Sequence, residues 1–165
     1  MKYEINPKYV KSIDLKLIPY RQHNAINGSA FFGRDVHDIR VVHWVTSTRS
    51  DGRIWKVYNV TLNFCDILEN KYNKLIVVTE AVVRRIIEAI PQLPQHCPFK
   101  KDTEYSLTNF YLEEEIMPVF VPNMKFETAF NMMSNKEYFF KLLLTARVES
   151  KIGQRNVKQS SKNPK

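Results

Sequence analysis

Four histidines, two cysteines and a triplet of glutamates are the residues of this sequence whose chemistry could go beyond packing. His23, His37, His43 and His96 are the metal or acid–base candidates. No two stand at the spacing of a helical zinc pair, and there is no HExxH segment. His37 and His43 share one face of an extended strand, but at about 20 Å, too far for one metal ion. All four are read as surface or hydrogen-bonded side chains, and no metal site is assigned. Glu113, Glu114 and Glu115 read as a solvated turn rather than as catalytic carboxylates. No serine sits in a GxSxG elbow, and with only four glycines in the chain there is no phosphate-cradling loop. Cys65 and Cys97 would be nucleophiles only if unpaired, and they have no activating neighbours in sequence. The expectation is a protein that is not an enzyme and uses no cofactor.

The two cysteines admit two readings. Oxidised, they close a loop of about 33 residues, worth roughly 3 to 4 kcal/mol in the chain-entropy model. Reduced, they are two buried thiols of a cytosolic protein. Asn27-Gly28-Ser29 and Asn59-Val60-Thr61 are N-glycosylation acceptors. Together with a lone cysteine pair they point outside the cytosol. Met1 is followed by Lys2 and Tyr3, with no apolar run before Pro7, so no signal peptide is visible. The secreted reading therefore takes the sequence as a mature or incomplete form.

The 165 residues fit one domain, expected over 1–150. The net charge of +8 suggests nucleic acid until it is mapped. Lys151, Arg155, Lys158, Lys162 and Lys165 fall in an acid-free tail at 151–165, which reads as disordered from 153. Only +3 remains on the body, so nucleic-acid binding is not expected. No run approaches the roughly 18 apolar residues that a membrane span needs.

The elements that would position any site are mostly strands. Residues 9–18 alternate, and Pro19 is expected to end them. Asn27-Gly28 reads as a turn, with a short strand at 29–35. Residues 38–48 and 53–64 make a hairpin around Asp51-Gly52, expected as a two-residue turn. On the second arm Tyr58, Val60, Leu62 and Phe64 share one face and Asn59 lies on the other. A helical turn is expected at 65–70. An amphipathic helix is expected at 75–90, because Glu80, Arg84 and Glu88 recur every four positions; Pro91 and Pro94 end it. Strands follow at 104–112, 124–133 and 137–149. Six or seven strands with one inserted helix predict an all-β fold, an antiparallel β-sandwich.

Met124, Phe126, Phe130 and Met132 alternate on one strand, and Phe140 and Leu142 follow on the next. Phenylalanine and methionine make adaptable walls for apolar ligands. The same pattern also describes an ordinary sandwich core, and periodicity does not separate the two.

The order YNVTLNFC (58–65), an apolar helix, HCPFK (96–100) and YSLTNFYLEEEIMPVFVP (105–122) resembles a secreted insect family long labelled only as a domain of unknown function. One branch of it is the chemosensory B (CheB) proteins, and the family is related to the ML lipid-recognition domains, which include the ganglioside activator protein. The resemblance covers roughly residues 8 to 150. Its most specific parts are the N-x-T-x-x-x-C approach at Asn59 to Cys65 and Cys97-Pro98, with Asn109 and Pro118 downstream. It implies secretion, an ML- or immunoglobulin-like sandwich with an apolar interior, and binding of a lipid or hydrophobic semiochemical, with a role in chemosensation or pheromone response. A single cysteine pair is sparser than the several bridges of the ganglioside activator.

Two functions compete on this basis. A carrier would hold its ligand against Phe126, Phe130, Met132, Phe140 and Leu142, with the helix lining or gating the mouth, and would need a cavity of roughly 300 Å³ or more. An extracellular interaction module would instead dock on a receptor or channel through its basic tail and the hairpin face around Trp44 and Trp55, with no ligand inside.

Overall fold

The computed structural model describes residues 1–49, 51–71, 77–112 and 124–148. The expected acidic turn at Glu113 to Glu115, Pro118 and the basic tail lie outside them.

Two antiparallel sheets face each other. The larger runs in the order β1 (Lys2–Ile5), β8 (Glu137–Val148), β7 (Met124–Ser134), β4 (Arg40–Thr48), β5 (Ile54–Asn63). The smaller runs β2 (Val10–Tyr20), β3 (His23–Phe32), β6 (Glu104–Phe110). Period-two alternation decides which side chains meet between them. Val41, His43, Val45 and Ser47 on β4 pair with Met132, Phe130, Thr128 and Phe126 on β7. That puts one row of alternate residues from each strand on the inner face. At one end, Tyr9, Phe32, Phe99, Tyr105 and Phe139 close a dense aromatic cluster, with ring centroids 5.0 Å apart for Phe99 and Tyr105 and 5.7 Å for Phe32 and Phe99.

Two helices connect the sheets. Asn63 caps α1 (Phe64–Leu68), its side-chain oxygen accepting from the Cys65 N–H at 3.1 Å. The amphipathic helix forms as α2 (Val77–Ala89); residues 75 and 76 lie outside the described ones. Arg84–Glu80 (2.7 Å) and Arg85–Glu88 (3.1 Å) ion pairs lie along it, while Val82 and Val83 are buried. Cys65 and Cys97 are joined in a disulfide, which places both helices inside one covalently closed loop.

Several local expectations are corrected. β1 was not anticipated: four residues with two charges carry too little alternation to read. It pairs Tyr3 with Leu142 and so covers an edge that β8 would otherwise expose. Pro19 does not end β2, because β2 is an edge strand bonded only to β3 and a missing N–H is tolerated there. Asn27-Gly28 is not a turn but the middle of β3, where the β3–β6 register shifts. A Cβ at Gly28 would lie 2.4 Å from the Asp14 carbonyl oxygen, so glycine here answers a close backbone approach. The true turn is at Arg21-Gln22, with Arg21 at φ 54°. The β4–β5 turn is one residue longer than expected: Arg49 bonds Arg53, and Gly52 at φ 81° supplies the left-handed bulge position.

Candidate functional site: a cavity between the sheets

A cavity of about 190 Å³ lies between the two sheets and under α2. β3 helps to leave this room, because it presents Ala30 to the cavity where a larger side chain would fill it. Ile13 and Leu15 of β2, Leu107 and Phe110 of β6, and Val41 and Leu62 of β4 and β5 complete the walls of both layers. Val83 and Ile86 of α2, with Ile90 and Leu93 just beyond it, close the side next to β6. The Cys65–Cys97 link holds that cover at both ends: Cys65 sits in α1, and Cys97 follows α2 and Leu93.

Of the five side chains assigned from sequence, Phe130, Met132, Phe140 and Leu142 are on the wall. Phe126 is not. It pairs with Ser47 two inward positions past Phe130, half-buried beyond the end of the void. Phe139, which strict alternation along the strand would turn away from Phe140, lines the cavity beside it and is 1% exposed. The register shift between Met132 and Met133 sets two β8 residues against one of β7, which turns both phenylalanines inward.

The helix was expected to line or gate the mouth, but most of the walls in the smaller sheet were missed. Ile26, Gly28, Ala30 and Phe32 carry a period-two signal that the turn assigned at Asn27-Gly28 concealed.

At about 190 Å³ the cavity falls short of the roughly 300 Å³ expected of a carrier, so that expectation is not met as stated, a result that counts toward the interaction module; the room present fits only one slender or compact molecule. Among the described residues the cavity wall carries no Asp, Glu, Lys or Arg. The polar residues on the described wall are His43, Ser29 and Tyr105, and its surface is almost entirely apolar. The Tyr105 hydroxyl is already engaged, accepting from the Lys100 N–H at 2.9 Å.

His43 is the residue that sequence reasoning passed over. It is 3% exposed, and its ring stacks on Phe130 at 4.0 Å. Nε2 lies 3.0 Å from the Thr128 hydroxyl, and the Tyr58 hydroxyl lies 3.4 Å from either ring nitrogen. Burial holds the imidazole pKa down at about 4 and pushes the Tyr58 phenol up to about 12, the latter opposed by the Thr79 hydroxyl. At neutral pH His43 is therefore an uncharged group with one donor and one acceptor. The other histidines are separate: His37 and His96 are exposed, and His23 stacks on Tyr111 at 5.5 Å. Among the described residues no three His, Cys, Asp or Glu side chains converge on a metal-sized site, and no helix is long and apolar enough to cross a membrane.

The two glycan acceptors sit differently. Asn59 is exposed, paired with Trp44 on the outer face of the larger sheet. Asn27 is half-buried, and its side-chain oxygen accepts from the Asn109 N–H at 2.6 Å. Farther along β5, Ile54, Trp55 and Val57 are 75%, 55% and 42% exposed. Arg49 lies over the Trp55 ring at 5.6 Å.

No curated protein matches the chain. A family described as a protein of unknown function (DUF1091) matches residues 39–128, which run from the start of β4 through the hairpin, both helices, the disulfide and β6 into β7. That is more than half of the sequence, and the chain belongs to this family of unknown function, DUF1091.

Proposed function

We propose that this protein is a secreted, non-enzymatic binding protein that holds one small apolar molecule between its sheets. The cavity carries the reading. Apolar space left unfilled costs stability to a degree that depends on how far its walls relax. A wall this apolar does not hold water well enough to offset the loss. A hydrocarbon occupant would restore it, at roughly 0.8 kcal/mol per buried methylene.

A disulfide persists in oxidising surroundings, and Asn59 is free to carry a glycan; both support an extracellular protein. The likeness to the ML lipid-recognition domains and the chemosensory B proteins supports the same reading, with a lipid or hydrophobic semiochemical as occupant and a role in chemosensation. The test is protein secreted from cultured eukaryotic cells, extracted with organic solvent for mass spectrometry and titrated with N-phenyl-1-naphthylamine. Saturable fluorescence that the extracted molecule displaces is the expected result. No extractable molecule and no probe binding would remove the proposal.

One observation favours a second reading. Ile54, Trp55 and Val57 are exposed apolar side chains at one end of an edge strand, near Arg49, Arg53 and Lys56, with Ile54 and Trp55 on opposite faces. An exposed edge of this kind fits an acidic surface on a receptor or channel, in which case the protein acts as an interaction module. Capture of that partner by ligand-free protein, lost on Trp55→Ser, is the distinguishing result.

A further inference from the structure

We propose that the cavity selects an uncharged ligand, such as a long-chain alcohol, ketone, ester or alkene, and rejects the carboxylate of a free fatty acid of equal length. This inference rests on the binding reading above and names its ligand class.

Among the described residues the wall has no cation to receive an anion. Strand alternation turns the nearest cations to solvent and pairs them there. Lys141, between Phe140 and Leu142, points away from both and pairs with Glu4 at 3.2 Å. Lys11, two residues before Ile13, pairs with Asp102 at 2.6 Å across the smaller sheet. On α2, Arg84 pairs with Glu80 and Arg85 with Glu88. Each has a carboxylate of this chain as its counter-ion.

His43 does not fill the gap. The groups packed against it are Thr128 and Phe130 from β7 and Tyr58 from β5, and none of them is an acid that would hold the ring protonated. Burial keeps its pKa near 4, so the ring is neutral at neutral pH, and its nitrogens face the hydroxyls of Thr128 and Tyr58 rather than the cavity. The ring offers no compensation for a full negative charge, and an ionised carboxylate buried without a partner is expelled or protonated.

The experiment displaces N-phenyl-1-naphthylamine from the intact protein with matched pairs, octanol against octanoate and dodecanol against dodecanoate. At pH 8 the alcohol should act at a concentration at least tenfold below that of the acid. Between pH 8 and pH 5.5 the acid should gain about tenfold per pH unit, because only its neutral form enters and its own pKa lies near the ordinary carboxyl value of about 4.3. The alcohol should not change over that range. Octanoate or dodecanoate matching the alcohols at pH 8 would overturn the inference while leaving the cavity reading intact, since that is how an acid with its head left in water would bind. Failure of the probe and of both alcohols to bind at all would overturn the cavity reading, and this inference with it.

Discussion

His43 shows how one buried side chain can make a whole fold sensitive to pH. Its folded pKa is near 4 and its ordinary value is 6.5, so between those limits the unfolded chain binds the extra proton. Stability from this group is complete above about pH 6.5 and is lost as pH falls toward 4. Between pH 7 and pH 5 the loss should be about 2 kcal/mol. Urea midpoints at the two pH values measure it, and His43→Leu should flatten the slope. A slope unchanged in the variant would assign the effect elsewhere. The carboxylates held below their usual range by lysines, Asp102 by Lys11 and Glu137 by Lys8, titrate at lower pH and leave this window largely to the histidine. Exposure makes a second residue-scale distinction. Both acceptor triplets satisfy the same rule, but only the Asn59 side chain is free of the fold. In protein secreted from eukaryotic cells Asn59→Gln should abolish the mass shift removed by endoglycosidase, and Asn27→Gln should leave it unchanged. A shift that survives Asn59→Gln would contradict this placement.

Elements were legible in the sequence where one period dominated. β4, β5, β7 and α2 stand within two residues of their expected bounds because each repeats its pattern over three or more cycles. Turns were harder, because what fixes them is contact with a distant strand. Gly28 looks like a turn residue and is a mid-strand one, for a reason lying fourteen residues away at Asp14. The Phe139 bulge likewise depends on how β8 meets β7, which no single strand encodes. The cavity residues that were legible, Phe130, Met132, Phe140 and Leu142, lie on regular strands of one sheet; those that were missed include Ile26, Gly28 and Ala30 on β3 beside the misread turn and residues of β2, β4 and β6 that only the packing of the two sheets brings to the same space. The β7–β8 turn gives a clean test of local chemistry. Asn135 and Lys136 both have positive φ, 50° and 65°, in a two-residue loop closed by Ser134 and Glu137. Asparagine tolerates that conformation and lysine does not. Lys136→Gly should stabilise the protein by roughly 0.5 to 1 kcal/mol, read as a rise in melting temperature, despite the greater freedom of glycine in the unfolded chain. At the next level up, the disulfide closes the loop that carries both helices. Replacing both cysteines by serine should lower stability by roughly 3 kcal/mol, and protection of α2 amides from hydrogen exchange should fall more than that of β4 and β7. Uniform loss across all three would show that the link braces the whole sandwich rather than its helical cover.

A sandwich of this size has an easy way to be more stable, which is to fill its interior. Ala30 faces the void from β3, and the opposite wall is made of long, adaptable side chains such as Met132 and Leu142. Ala30→Leu should therefore insert its added carbons into free space and not into packed neighbours. The void cost argues for a gain of roughly 1 to 2 kcal/mol in urea denaturation. If the space exists for a ligand, the same change should weaken N-phenyl-1-naphthylamine binding at least tenfold, the trade between stability and function expected when a fold keeps a hole open for use. The two readouts separate the explanations. More stable with binding lost identifies the void as the binding site. More stable with binding retained sends the probe elsewhere, to the exposed apolar side chains of β5 such as Trp55. A less stable variant would mean that the sheets close over the space in solution, and then the interaction module becomes the better account of the molecule.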